Sequence, residues 1–425
     1  MTKGQGKDRP KDPTEARGIR EFRMLVLFFS SLYAGILTVA CGNELVIYLR
    51  AVARSDEIPG KGLQEQATLT YYVVWLLVAA LGLVLALRKS TSWMALYVDL
   101  LIIGEFCAHG YFAATHRHLY RPTPPALYDR FDPHPFVIAS PRPNLVIYPG
   151  YTHDSDGHRT TVNKDKHPDA RSIFVFGGST TYDANPDGET WPSQLSAMLG
   201  PDFVVTNYGV PGFSSVEALT QSLFAFRDKP PSCAVYLEGA NDLRNSHAAN
   251  LSSDYSNFEY PNLVETLALD RKPTFVMQNS LLISYLMSMF SLPVAAAPSG
   301  EISGEPDLRL SKIYRDNIRL IAVVGRTFGV SVIFVPAVIN YAAAEAPGRS
   351  DSAGPFIKTK DISRLLSALN QDMAAGAAQG NAYFIGAPLS ESWSPQDFHD
   401  LEHFSTQGSR KFANIIVGSV RKICR

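Results

Sequence analysis

A hydroxyl nucleophile, an imidazole and a carboxylate are a small set of side chains that can carry an acyl group through a covalent intermediate. This sequence offers one such set in two short segments. Ser179 follows Phe176-Gly177-Gly178 and precedes Thr180-Thr181. Those glycines allow a sharp turn, which leaves the Ser179 hydroxyl exposed at the start of a loop or helix. Far downstream, His399-Asp400-Leu401-Glu402-His403-Phe404-Ser405 contains an Asp-x-x-His turn. Such a turn can hold the Asp400 carboxylate against the His403 ring, fixing its tautomer while His403 takes the Ser179 proton. Two further segments carry candidate donors for a developing oxyanion. Asn207-Tyr208-Gly209-Val210-Pro211-Gly212-Phe213-Ser214 lets a ligand approach the backbone at Gly212, and Glu238-Gly239-Ala240-Asn241-Asp242 supplies a side-chain amide at Asn241. Singly, each is more often a turn than a site, because Gly, Asn and Asp are ordinary turn residues. Together they point to serine-dependent acyl transfer.

Other chemistries fit less well. The Ser179 turn lacks the Gly-Lys-Ser/Thr of a P-loop and the Gly-x-Gly-x-x-Gly of a dinucleotide site. His153, His158 and His167 with Asp154 and Asp156 match neither a zinc helix motif nor a complete calcium loop, whose closing Glu is missing. There is no Gly-x-Ser-x-Gly elbow of the ordinary α/β-hydrolases. His399 reads as a decoy beside the Asp400-His403 pair.

These loops need elements to position them. Apolar, β-rich runs at Ser172–Phe176, Phe203–Asn207, Cys233–Leu237, Val330–Pro336 and Ala382–Ile385 read as strands. They alternate with amphipathic helical stretches at Trp191–Leu199, Val216–Arg227, Leu308–Phe328, Asp361–Ala378 and Thr406–Ile423. Such alternation predicts a parallel sheet covered on both faces by helices. The candidate residues then fall in loops after the strands, where open parallel sheets bind ligands.

Gly178-Ser179, Gly212, Gly239-Ala240-Asn241-Asp242 and Asp400-Leu401-Glu402-His403 occur in the order typical of the SGNH (GDSL-like) hydrolases, and over about residues 130–425 the chain resembles that family. Asp156-Gly157-His158-Arg159 looks like the Gly-Phe-Arg segment that often precedes the family's first strand, and Glu189-Thr190-Trp191-Pro192 after the nucleophile adds to the likeness. The resemblance implies a three-layer α/β/α, flavodoxin-like domain with Ser179, Asp400 and His403 as triad. It also implies an oxyanion hole from the Ser179 and Gly212 backbone N–H groups and the Asn241 amide, with no cofactor and no metal. Gly178 departs from the pattern, standing where the GDSL signature has Asp.

Upstream the chain is of another kind. Residues 1–23 are polar and basic, and read as a disordered cytoplasmic tail. Met24–Cys41, extending toward Ile47, and Tyr71–Leu87 approach the roughly 20 apolar residues that span a bilayer. A third run, Trp93 to about Phe112, is weakened by Asp99, Glu105 and His109, since ionisable groups in hydrocarbon need partners. The first run is longer than the roughly 7–15 apolar residues of a signal peptide. The expectation is a membrane anchor of two to three helices over 24–113, a wrapping linker over 114–170 and the hydrolase domain over 171–425. The basic tail and the Arg88-Lys89 pair belong inside by the distribution of positive charge, which puts the domain on the outer side. A bacterial inner membrane with a periplasmic or extracellular domain is the expected setting. Leu281–Leu292 is too short to span and is read as a helix lining the active site or touching the membrane surface.

With Lys+Arg 39 against Asp+Glu 40, the net charge of -1 provides no basic field for a nucleic-acid partner. Cys41, Cys107, Cys233 and Cys424 include no close pair of the metal or thiol-redox kind, and Cys41 and Cys107 sit in apolar runs. A Cys233–Cys424 disulfide is an open alternative that this reading does not favour. The expected activity is hydrolysis of small acyl esters, an acetyl group on cell-envelope carbohydrate foremost. The alternatives are an O-acyltransferase acting on an envelope polysaccharide and a non-catalytic glycan-binding or assembly module.

Overall fold

The computed structural model describes residues 13–53, 61–88, 92–116, 130–137, 139–255, 275–290, 300–346 and 352–425. Residues 1–12 of the basic tail, Lys89 and residues 117–129 of the linker lie outside them, while residues 13–23, expected to be disordered, form the start of a helix. The chain divides into two units, one made of residues 1–125 with 273–292 and the other of 126–272 with 293–425.

The first unit is helical. Helices α1 (Pro13–Ala53), α2 (Lys61–Leu87) and α3 (Ser92–His116) contain three stretches long and apolar enough to cross a membrane: Arg20–Arg50, Glu65–Leu87 and Trp93–Tyr111. The acids that weakened the third stretch as a span have a physical solution. Ala95, Asp99, Ile102 and Glu105 recur at helical spacing and are all buried, so one stripe of α3 faces the bundle. Ser30 of α1 donates to both oxygens of Asp99, at 3.0 and 3.1 Å, and Tyr71 of α2 donates to Glu105 at 2.6 Å. The apolar run near residue 281 forms the ten-residue helix Leu281–Phe290. It belongs to this helical unit, where it packs on α3, so the other unit does not contain it.

The second unit is built on a parallel sheet of β1 (Arg171–Gly177), β2 (Phe203–Asn207), β3 (Cys233–Glu238), β4 (Ser331–Pro336) and β5 (Tyr383–Phe384). In space the order is β2-β1-β3-β4-β5, every neighbouring pair parallel. All six residues of β3 are buried, as a central strand covered on both faces requires. The covering helices are α4 (Trp191–Leu199), α5 (Ser215–Asp228), α6 (Leu308–Thr327), α7 (Ile362–Gly380) and α8 (Thr406–Ile423). Helix α6 packs against α5 and α7, and α4 against α8, which makes the two outer layers. Their starts are set by capping: Thr190 accepts from Ser193 N–H, Asp307 from Arg309 and Leu310, and Ser405 from Gly408.

Two short antiparallel hairpins, Phe131–Pro133 with Ala139–Pro141 and Val146–Tyr148 with Tyr151–Thr152, precede β1. The chain then pairs Arg159 with Asn207 at the end of β2. Arg159 is wholly buried. Its guanidinium pairs with Asp187, donates to the Asn185 carbonyl at 2.7 Å and lies 4.0 Å from the Tyr151 ring centre. A charge this deep is tolerated because the carboxylate and carbonyls replace its water.

Cys233 at the start of β3 and Cys424 just after α8 form a disulfide, with a Cα–Cα distance of 5.4 Å. That alternative was not favoured by sequence. The sheet brings together two cysteines 191 residues apart.

Candidate active site

The reversal of strand order falls between β1 and β3, and in open parallel sheets the crevice beyond the strand ends at that point binds ligands. The candidate residues converge there. Ser179 opens the short helix Ser179–Tyr182 directly after β1. Its Oγ lies 2.8 Å from His403 Nε2, and His403 Nδ1 lies 2.7 Å from Asp400 Oδ2. Because Asp400 can only accept when ionised, Nδ1 carries the ring proton and Nε2 faces the serine as acceptor. The other Asp400 oxygen accepts from the backbone N–H groups of Glu402 and His403, both at 2.9 Å, which is why the Asp-x-x-His spacing folds as a closed turn. Asn340, following β4, donates its backbone N–H to the Leu401 carbonyl at 2.9 Å and steadies that turn.

Electrostatics follow from these contacts. Partial burial opposes ionisation of Asp400, but the hydrogen bond and charge of His403, with the two backbone donors, hold its pKa down to about 2. Burial pulls the His403 pKa down, and the Asp400 bond and charge outweigh it, so the net direction is upward from 6.5.

The oxyanion candidates lie on the neighbouring loops. Gly212 has φ +87°, a backbone state suited to glycine, and open space where a side chain would stand. Neither the Ser179 nor the Gly212 backbone N–H donates to another described group. One Asn241 amide hydrogen is anchored on the Phe213 carbonyl at 2.8 Å, and an amide has a second to offer. The two loops are also fastened by Asp242, which accepts from the Ser215 hydroxyl at 2.5 Å and from the Tyr255 hydroxyl at 3.2 Å. Burial raises the Asp242 pKa to about 6.

Gly178 has a local explanation. A Cβ there would come within 2.2 Å of the Asn241 amide nitrogen and 3.0 Å of the Phe213 carbonyl oxygen. In this chain the Asn241 amide occupies the space that a side chain at 178 would need.

Compared with family models and with curated proteins, the sequence finds no match. Solved structures do match in part. They include TesA at 13% identity, covering 60% of this chain and 99% of that one with a TM-score of 0.36. A GDSL-like lipase from Bacteroides thetaiotaomicron is 16% identical, with coverage of 62% and 92% and a TM-score of 0.33. A catalytic mutant of an acetylxylan esterase from Geobacillus stearothermophilus is 12% identical, with coverage of 61% and 96% and a TM-score of 0.35.

These likenesses are of fold alone. Two further residues hold the candidate site together: Asn185, which the sequence did not single out, and His399, set aside there as a decoy beside the Asp400-His403 pair. His399 is a structural partner: its Nε2 meets Asn185 Oδ1 at 3.0 Å, and its backbone N–H donates to the His403 carbonyl at 2.8 Å. Asn185 in turn donates to the carbonyl of Phe404, the residue after His403, at 3.0 Å, and to Asp183 at 2.7 Å. Asp183 closes the short helix that Ser179 opens, at φ +65°, and accepts from Trp191 N–H and Ser409 Oγ. Asn185 thus bridges the loop after Ser179 to the turn carrying His403. Its only sequence signal was the Asp-x-Asn pair just after the Ser179 motif.

Proposed function

We propose that this chain is a serine esterase acting on small acyl esters, with Ser179 as nucleophile, His403 as general base and acid, and Asp400 orienting the imidazole. The observation that carries this reading is the unbroken hydrogen-bonded series Asp400–His403–Ser179 beside unspent donors at Ser179 N–H, Gly212 N–H and Asn241. His403 takes the Ser179 proton as Oγ attacks the ester carbonyl, and the three donors receive the oxyanion. Collapse of the tetrahedral intermediate breaks the ester C–O bond, His403 returns the proton to the leaving alcohol, and an acyl-serine remains. Water, deprotonated by the same imidazole, then releases the acid and restores Ser179.

The acyl group we infer is acetyl, carried on cell-envelope carbohydrate outside the cytoplasm of a bacterial cell, with the basic amino-terminal tail inside. Three membrane-length helices and the Cys233–Cys424 disulfide support that setting, since structural disulfides persist in oxidising compartments. The test is hydrolysis of p-nitrophenyl acetate and butyrate by the full chain in mild detergent. Turnover lost in both Ser179→Ala and His403→Ala supports the assignment. A folded protein without turnover, unlabelled at Ser179 by an active-site organophosphonate, points to a glycan-binding module instead. Product formation that rises with an added glycan acceptor identifies acyl transfer. A phosphatase fused after Arg425 should be active only on the outer side of the membrane.

A further inference from the structure

The segment Glu238-Gly239-Ala240-Asn241-Asp242 carries more acid than the proposed reaction uses. Glu238 ends β3, and its side chain points to the same face as that of Tyr236, whose hydroxyl lies 2.6 Å from Ser222 Oγ of α5. In the layer beneath α5 and α6 it joins Asp242 and Glu217, and the three residues are 3%, 0% and 5% exposed. Among the described residues no Lys, Arg or His pairs with any of the three. The other titratable groups facing this cluster are the phenols of Tyr255 and of Tyr314 on α6. Asp372 of α7, the remaining acid that acts on Tyr314, is paired with Arg315 at 2.7 Å.

Three like charges cannot all be held at this depth without a cation. Hydrogen bonds decide which carboxyl keeps its charge, because a buried carboxylate needs donors in place of water. Asp242 accepts from the backbone N–H and the hydroxyl of Ser215 and from the Tyr255 hydroxyl. Glu217 accepts from the backbone N–H and the hydroxyl of Ser214, at 2.8 and 2.5 Å. Glu238 differs from both. Its Oε1 is buried with no hydrogen-bond donor among the described residues, and the buried Tyr314 hydroxyl is also without a partner there. Burial, together with the charges of Asp242 and Glu217, pushes the Glu238 carboxyl well above its ordinary 4.5.

We propose that Glu238 stands as a neutral carboxylic acid at neutral pH, leaving Asp242 as the charged brace between the segments of Gly212 and Asn241, and that loss of the Glu238 proton ends turnover on the alkaline side. An ionised Glu238 repels the Asp242 charge and weakens its hold on Ser215, three residues after Gly212. The catalytic part rests on the esterase reading, and the protonation does not.

The experiment compares the full chain in mild detergent with Glu238→Gln and with Glu238→Met, an apolar side chain of similar length. Infrared spectra of the wild type at neutral pH should contain the carbonyl stretch of a protonated carboxyl that both variants lack. Stability has a fixed sign: the raised folded-state pKa gives a contribution fully present below 4.5 and lost as pH rises toward the folded-state value. The wild-type melting temperature should therefore drop relative to both variants by about 3 °C for each pH unit in that window. On p-nitrophenyl acetate, with each rate referred to the same protein's rate at neutral pH, wild-type kcat should fall on the alkaline side, and Glu238→Gln should hold its rate where the wild type has lost half. Infrared spectra that the substitutions leave unchanged, or melting temperatures that run parallel with pH, would overturn the protonation. A wild-type kcat that does not fall, or falls together with that of the variant, would overturn the catalytic part. A chain that turns over no ester overturns the esterase reading and the catalytic part with it, while the infrared and melting measurements still decide the state of Glu238.

Discussion

Nε2 of His399 lies 3.0 Å from Oδ1 of Asn185, joining the turn that carries the candidate base to the loop that follows the candidate nucleophile. Because Asn185 also holds the Phe404 carbonyl, this contact helps fix how far His403 stands from Ser179.

Asn185→Ala should therefore lower kcat on p-nitrophenyl acetate by about 10- to 100-fold, the scale of a misplacement near 1 Å. KM should stay nearly constant, since no substrate contact is removed. His399→Gln with Asn185 intact, which keeps a donor near the same place, should lose little of that activity. A rise in KM with constant kcat would assign Asn185 to substrate binding instead.

Position 178 offers a test of the local packing. Gly178→Asp would write the family's more usual residue into this chain, and here it should harm. The new side chain must displace the Asn241 amide, so activity should fall by roughly 100- to 1,000-fold, the cost of losing one oxyanion donor. Overpacking should also lower stability by about 1–3 kcal/mol. A variant as active and as stable as the parent would show that Asn241 is not needed where it stands.

The pH profile has a fixed sign. His403 must be neutral to accept a proton, and its pKa lies above 6.5, so kcat/KM should rise through an acid limb centred above 6.5. In the folding equilibrium the same raised pKa adds stability below the unfolded-state value, and that contribution is lost as pH climbs through the folded-state value. Asp400, held down to about 2, adds stability above its ordinary 3.8 that disappears as pH falls toward 2. Asp400→Asn should move the acid limb downward and reduce kcat by about 10,000-fold. An acid limb that stays in place would detach Asp400 from the base.

Reduction of the Cys233–Cys424 bond, or Cys424→Ser, should leave the triad competent at room temperature and lower the melting temperature. The chain-entropy account assigns a closed loop of this length about 5 kcal/mol, which for a domain of this size is on the order of 10 °C. An unchanged melting temperature in the reduced protein would show that the bond adds nothing to stability.

The sheet was legible because its strands are short apolar runs bounded by turn residues, and β2, α4 and α8 fall on the ranges their patterns mark. Thr190-Trp191-Pro192 and Ser405-Thr406 are local starts, visible without any tertiary contact. The disulfide and the Asn185–His399 contact were not legible, since each pairs residues about 200 positions apart and only the sheet's order makes them neighbours. The acids of α3 weakened a span as composition and strengthen a bundle as geometry. The spacing from Asp99 through Ile102 to Glu105 marks one helical face, but which face meets α1 and α2 is decided by Ser30 and Tyr71.

Glu105 fastens a segment that the chain reaches only after building β1, β2 and β3. The helical unit takes residues 1–125 and 273–292, and the intervening 126–272 carry three of the sheet's five strands. The two units are thus interlaced in sequence, and no single cut separates them. A protein begun after residue 125 would still carry Phe275–Phe290 while lacking Trp75, whose indole donates to the Asn279 carbonyl, and the carboxylate that caps the helix. The sequence Leu-Leu-Ile-Ser-Tyr-Leu-Met-Ser-Met-Phe would then be left without its seat, an apolar surface inviting self-association. A soluble form of the second unit calls for replacing residues 273–292 with a short polar bridge as well as removing the first helices.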